Sequence, residues 1–447
     1  MDILSAYNLI IELSVIIIIS FLFDRISKRT NVPSVLMLIA LGIIIQYVLK
    51  IFNFGAFDFF PILELLGIVG LIMIVLEAAL DLKLEKSKIG PITKSLVIAL
   101  ISLVGSAYAA ALIIVSLIDG MTMAQAWLYA TPLSILSSAV IIPSVENLTP
   151  KKKEFHIYEG TFSDILGIMM FYLIIQLMSP GEESAVASFS ISFLATVVFS
   201  VVISYIIILI FQRIERRAKL FLLIAVLLLL YALGKKLHLS SLIIILIFGL
   251  ILSNTNVFFK GKLAKVLKDE IVKDMYHELH MITAETAFVV RTLFFVVFGL
   301  SIVVTSLLSL KVALISLLVL ASIFAIRWIV LRVFIGKDIR PQLFIAPRGL
   351  ITVLLFYAIP ENLKVESFEP GILLFVVIGT SLIMTYALID NKKKEARLAQ
   401  IERQTAVIDI EKSGEVSDDL PLEDEIIQEK DFLDDDIQEL DINEQPE

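Results

Sequence analysis

Cysteine is absent from the 447 residues. Disulfides and thiol chemistry are excluded, and the redox compartment cannot be read from cysteine usage. Histidine is scarce, with only His156, His238, His277 and His280. These fall at expected helix ends or in loops, and no two form a metal-ligating pair inside an apolar run. The residue alternation of a transmembrane β-barrel is missing. So are a nucleophile–base pair and a metal cluster, which leaves enzymatic hydrolysis without support. The opening MDILSAYNLIIELSVIIIISFLFDR lacks a basic leading region and a small-residue cleavage site. It reads as a retained first helix rather than a signal peptide.

What is abundant is apolar sequence. Hydrophobic residues make up 58% of the chain, against roughly 45–50% in a soluble domain, and mean hydropathy is +0.93. Apolar runs long enough to span a bilayer recur throughout, which predicts an all-α polytopic membrane protein. Thirteen spans are expected, near 8–23, 32–49, 61–80, 95–118, 125–144, 157–179, 188–212, 218–236, 239–256, 281–306, 310–335, 340–359 and 371–389. Residues 257–280 alternate apolar and charged at helical spacing, which predicts an amphipathic surface helix.

The net charge of −8 hides two unlike parts. From Glu395 to Glu447 there are 19 Asp/Glu against four Lys/Arg, so this stretch carries −15 and the remainder +7. The chain divides into a basic membrane body, 1–390, and an acidic tail, 391–447, whose composition predicts disorder. With the N-terminus outside, the inside loops hold 21 Lys/Arg, including Arg216, Arg217, Lys262 and Lys265, and the outside loops five. That bias supports the span count and a cytoplasmic C-terminus.

Within this apolar body a few charges stand out. The stretch EGTFSDILGIMMFYLIIQ places Glu159 and Asp164 in one span. A carboxylate near the bilayer centre costs roughly 2.5–3.5 kcal/mol on insertion scales. Five residues apart, the two point ~140° away from each other on a helix. One is expected to be structural and the other the working group. The in-span cations are Arg291, Arg327 and Arg348. Arg327 lies at the depth of Glu159, so a buried Glu159–Arg327 pair is expected. Arg291 is expected to snorkel towards the cytoplasm. Glu77 sits about one turn from the cytoplasmic end of the third span, where it could line the approach.

Two spans read as broken. ATPLSILSSAVIIPSVENL carries Pro132 and Pro143 around Ser134, Ser137 and Ser138. RPQLFIAPRGLITVLLF carries Pro347, Arg348 and Gly349 internally. Proline removes a ladder donor and disfavours helix in the residue before it. In lipid such breaks survive where they face protein or a cavity. The broken spans lie seven apart in helix order, so they run in opposite directions, as in an inverted repeat. Crossed half-helices would bring their ends together, with freed carbonyls and Ser hydroxyls available to ligate a small cation.

Over nearly all of residues 1–390 the chain resembles the monovalent cation:proton antiporters, the sodium/proton exchanger superfamily. Four blocks carry the likeness. VLEAALDLKLEK is similar to the family's third-helix motif, with its acidic residue at Glu77. LSSAVIIPSVENL resembles the unwound Thr-Asp-Pro-Val helix. EGTFSDILGI resembles the Glu-Ser-x-x-Asn-Asp stretch, with the ion-binding Asp at Asp164 and the structural Glu at Glu159. The run from FFVVFGLSI through ASIFAIRWIVLRV to IAPRGLITV resembles the segment that holds the structural Arg, at Arg327, and the second unwound helix. The chain departs from the pattern at Ser163, Ser137-Ser138 and Gly160, where the family has Asn or Asp, Thr-Asp and Ser.

The resemblance implies a thirteen-helix homodimer with a dimer domain and a moving core, in a plasma membrane of bacterial type. It implies exchange of Na⁺, Li⁺ or K⁺ for H⁺, with no cofactor and no nucleic-acid partner. Asp164 would hold one transient monovalent cation or one proton, with Ser163, Ser137, Ser138 and Glu77 around it. One titratable carboxylate predicts one H⁺ per cation, hence electroneutral exchange. The alternatives are a transport-impaired sensor or scaffold signalling through the acidic tail, and a cation channel. A channel would need a filter loop or continuous polar pore, and neither is legible.

Overall fold

A computed structural model describes residues 6–30, 32–51, 60–84, 86–145, 148–178, 185–214, 219–236, 241–261, 266–301 and 309–413. The segment 414–447, for which disorder is expected, lies outside the described residues, as do Arg216, Arg217, His238, Lys262 and Lys265. The described residues are helical apart from short turns and two extended stretches.

The helices in chain order are α1 Ala6–Thr30, α2 Ser34–Ile51, α3 Phe60–Asp81, α4 Ile89–Leu117, α5 Met123–Ser134, α6 Ser138–Ser144, α7 Pro150–Leu177 and α8 Ala185–Phe211. There follow α9 Lys219–Lys236, α10 Ser241–Ser253, the single turn α11 Thr255–Phe258, α12 Asp269–Ser301, α13 Leu310–Phe334, α14 Leu350–Tyr357 and α15 Gly371–Ser413. Eight of the described helical segments are long and apolar enough to cross a membrane, with shorter apolar helices at 220–234 and 241–253. This is an integral membrane protein.

Local chemistry sets several ends. Thr122 and Gln125 form a reciprocal capping box that starts α5, the Thr122 hydroxyl accepting from Gln125 N–H and the Gln125 side chain from Thr122 N–H,. Pro150 opens α7, where its missing donor costs nothing,. Arg340 and Ala346 both precede prolines, and residues 345–349 run extended,.

The structure corrects three expectations. The amphipathic stretch 257–280 is not a separate surface helix. Its second half is the start of α12, which continues unbroken to Ser301. The broken span near 340–359 is not two half-helices. Residues 340–344 form a turn, 345–349 are extended, and only α14 is helical. With Pro341 and Pro347 six residues apart, the intervening chain is too short for a stable helix. Finally, α15 carries helix to Ser413, well into the segment expected to be disordered.

Two groups of helices pack among themselves. In the first, α12 lies along α2 and α3, and α10 along α3, α8 and α9. In the second, α4 is the hub for α5, α7 and α13, with α6 on α7 and α14 on α5. The seam between them is thinner and includes α3 against α14 and α7, α12 against α14, and α7 against α8.

Candidate functional site

The first break is three residues long. Helix α5 ends at Ser134, Ile135 to Ser137 are extended, and α6 starts at Ser138. Pro132 lies inside the last turn of α5 and Pro143 inside α6. Buried backbone groups demand partners, and those of the four N–H groups from Ile135 to Ser138 can be traced. Ile135 N–H donates to the Pro132 carbonyl, and Leu136 N–H to Ser163 Oγ at 2.9 Å. Ser137 N–H donates to the Pro347 carbonyl at 2.9 Å, and Ser138 N–H to Asp164 Oδ2 at 3.2 Å. The two breaks therefore touch, and α7 supplies the other partners. The acidic group sits at the N-terminal end of α6, where free N–H groups favour an anion.

Glycine makes the close approach possible. A Cβ on Gly167 would lie 2.3 Å from the Ile135 side chain, and one on Gly160 would lie 3.3 Å from Ser138 Cα. Gly160 and Gly167 are seven apart on the face of α7 that carries Asp164, so they form the bed for the break. At Gly349 a Cβ would lie 2.3 Å from Ser137 Oγ. That position admits no side chain while the breaks stay in contact.

Two guanidinium groups take the freed carbonyls. Arg327, on α13, meets Glu159 in a bidentate pair, Nη1 to Oε1 at 2.7 Å and Nη2 to Oε2 at 2.9 Å. It also donates to the carbonyls of Gln342, Leu343 and Ile345 in the second break. Arg348 donates to the carbonyls of Leu133 and Ser134 at the end of α5, at 2.7 and 3.2 Å, and to that of Ala346 at 2.7 Å. Its own N–H donates to Thr380 Oγ1 on α15. Most of the freed carbonyls are therefore taken by side-chain donors and not left open. Five of them, and that of Ala346, accept from arginine. The Ser134 hydroxyl donates to the Ala130 carbonyl.

Glu159 and Asp164 have unlike surroundings. Glu159 is fully buried with both oxygens held by Arg327, and His156 Nδ1 lies 3.4 Å from Oε2. His156 is not at a helix end, as expected from sequence. It is buried inside α7. Asp164 is 4% exposed and is held by Ser138, whose N–H donates to Oδ2 and whose hydroxyl also bonds the carboxylate. Its Oδ1 is buried with no hydrogen-bond partner among the described residues. Asp164 lines a cavity of about 20 Å³ with Ile74, Val75, Ala78, Leu242 and Ile351 among its walls. A space above roughly 10–15 Å³ admits one water molecule, so this one also admits a bare monovalent cation. It lies in the seam, walled by α3 and α10 on one side and α7 and α14 on the other.

Glu77 adjoins the cavity residue Ala78 and turns to Arg291, 3.3 Å from its Nη2. Arg291, expected to snorkel, is only 16% exposed at its side chain, and its Nη1 donates to the Ala139 carbonyl on α6 at 3.1 Å. Asp81 meets His280 of α12 at 2.7 Å. The structure thus brings Ser137, Ser138, Ser163, Asp164, Pro347 and Gly349 together and joins Glu159 to Arg327. It gives Glu77 a cation that was not expected from sequence.

One comparison gives the family and another the fold. The transmembrane sodium/hydrogen exchanger family matches residues 14–389, most of the chain. The fold is similar to that of the sodium proton antiporter MjNhaP1 from Methanocaldococcus jannaschii in its structure at pH 8. That match has 20% identity and a TM-score of 0.63, covering 85% of this chain and 95% of that one. An electron-microscopy structure of MjNhaP1 matches at 18% identity and a TM-score of 0.61, covering 89% of this chain and 98% of that one. A search of curated proteins finds no match. The chain belongs to the sodium/hydrogen exchanger family, whose members are transporters that exchange Na⁺ for H⁺ rather than enzymes.

Proposed function

We propose that this chain is a secondary active antiporter in which Asp164 binds one monovalent cation, Na⁺ first and K⁺ or Li⁺ as the alternatives, or one H⁺ by turns. The observation that carries the reading is Asp164 itself, which lines a cavity of one-cation size and whose buried Oδ1 has no hydrogen-bond partner among the described residues. An ionised carboxylate oxygen left bare in a buried place costs on the order of 1–3 kcal/mol or more. A cation or a proton removes that cost, and a single oxygen in so small a space does not take both. Competition at one group is the chemistry that antiport needs.

Ser138 N–H holds the other oxygen, so the carboxylate keeps one aim whichever ligand it carries. The Ser137, Ser138 and Ser163 hydroxyls are the polar groups closest in sequence to this contact and complete the ligand set as the site loads. Glu159 and Arg327 form the fixed pair that anchors α7 to α13. Because Ser163 is neutral, each turn moves one H⁺ for one cation and no net charge.

Movement follows from where the cavity lies. The helices around α4 form the moving core, and those around α3 and α12 form the dimer domain of a thirteen-helix inverted-repeat homodimer. The core carries the loaded site across by an elevator-like slide. The N-terminus lies outside and the C-terminus in the cytoplasm of a bacterial-type plasma membrane, with the tail beyond the transport unit.

The test is a Li⁺, Na⁺, K⁺ and Rb⁺ series in proteoliposomes with a trapped pH dye, with and without a membrane-potential shunt. Na⁺-driven alkalinisation or acidification that is unchanged by the shunt is expected. A rate that depends on the shunt rules out one-for-one exchange. Currents without proton coupling would make the protein a channel.

A further inference from the structure

Arg291 reaches across the seam. It stands on α12 in the first group of helices and pairs with Glu77 on α3 of the same group at 3.3 Å. Its other terminal nitrogen donates to the Ala139 carbonyl at 3.1 Å, and Ala139 belongs to α6 of the second group. Ala139 is the next residue after Ser138, whose N–H holds Asp164. One guanidinium thus ties the short helix that aims the acidic group to the opposite helical group. The cavity wall at Ala78 is the residue after Glu77.

From this geometry we infer that Arg291 is a positioning residue that latches α6 to the α3–α12 face, so that the seam at Asp164 opens only when the Arg291–Ala139 bond breaks. The inference deepens the antiport reading and rests on it for its place in the cycle. The bond is well suited to the task. It is charge-assisted, hence stronger than a neutral hydrogen bond. Its acceptor is main chain, so it holds the position of α6 itself and not a rotamer. Glu77 fixes the guanidinium on its own side, and a latch needs one end held. Any slide of the second group relative to the first lengthens the Ala139 contact and leaves the Glu77 contact intact.

Such a latch stabilises one position of the site over the other. Removing it shifts the balance between the two positions, and with it the apparent affinity seen from each side of the membrane. A residue that only stabilised the fold would change the amount of active protein and leave that balance alone.

The chain has no cysteine, so Ala78→Cys gives one reporter thiol in the cavity wall. The experiment measures labelling of this thiol by a charged reagent in the full chain with Arg291, Arg291→Lys, Arg291→Gln or Glu77→Gln. Without Ala78→Cys, the same four chains are compared for their apparent KM for Na⁺ from each face of proteoliposomes. Labelling is expected to rise about tenfold in Arg291→Gln, with the ratio of the two sided KM values moving by a similar factor. Arg291→Lys should recover part of both. Glu77→Gln should act in the same direction, and combining it with Arg291→Gln should add little. Labelling and KM ratio both within about twofold of the parent, with only the maximal rate reduced, would overturn the latch. Labelling needs no transport. If the parent chain exchanges no cation while Arg291→Gln still raises labelling, the antiport reading falls and the latch stands.

Discussion

Glu159 and Asp164 lie five residues apart on one helix, both inside the protein, and differ in how completely they are answered. Glu159 has a bidentate arginine on its two oxygens and a histidine beside it. Asp164 has only Ser138 on Oδ2, no partner on Oδ1 among the described residues, and a small cavity beside it. A permanent guanidinium leaves nothing for a transported ion to do, which supports the structural role proposed for the first carboxylate. The exchanging role proposed for the second rests on its lack of a charged partner among the described residues. Chemical type does not separate them. The inventory of partners does.

The sharpest way to break this comparison is to neutralise each carboxylate in turn. Asp164→Asn should abolish proton-coupled exchange, a loss of at least about a hundredfold in the pH-dye assay. Thermal unfolding in detergent should stay close to the parent, because one weakly held charge disappears. Persistent cation-driven pH change in that variant would show that Asp164 is not the shared group.

Glu159→Gln should do the opposite. It strands Arg327 as a buried unpaired charge, a loss of about 3–5 kcal/mol of stability. Unfolding midpoint and yield of folded protein are the readouts. A double change, Glu159→Gln with Arg327→Met, should be less damaging than the sum of the two single changes. Full additivity would mean that the pair is not the anchor.

Next in size is Gly349→Ala. Its Cβ would press on Ser137, so either the breaks separate or the chain strains, at roughly 1–3 kcal/mol. Exchange should fall more than stability does, since the displaced segment carries the Ser138–Asp164 contact. Parental KM and rate in the Gly349→Ala variant would show that contact between the breaks is not needed.

The smallest effect belongs to the tail. Removing residues 414–447 should leave the exchange rate within about twofold, since exposed charge is screened within ~10 Å in salt. Loss of exchange on that truncation would favour a regulatory tail over a passive one.

How far the sequence is legible depends on what the signal is made of. The membrane class follows from composition alone, because only sustained apolar runs survive in lipid. Both breaks are marked by proline, whose covalent ring acts wherever it stands. Matching of depth along two helices was enough to put Arg327 opposite Glu159. The acidic residue with no obvious partner, Asp164, was also marked by type and position. Gly160 and Gly167 lie seven apart around it, and that spacing was there to be read as a close-packed face.

What stayed hidden depends on partners distant in sequence. Arg348 and Arg291 look alike as arginines in apolar runs. One closes carbonyls at the end of α5 and the other bridges α3 and α6. His156 sits near a helix start by count, yet α7 begins early enough to bury it. The second break has a proline pattern like the first, but two prolines six apart left no room for a half-helix.

Sequence by itself determined that this chain lives in a membrane, that two of its spans are interrupted and which carboxylates lie within. These follow from side-chain transfer energies and backbone covalency, which each residue carries with it. Tertiary structure alone decided which carbonyls the arginines close, that Arg291 turns to Glu77, and where a cation-sized space remains. Those are sums over neighbours from several helices, and in a low-dielectric interior one added or missing hydrogen-bond donor decides whether a charge is fixed or exchangeable.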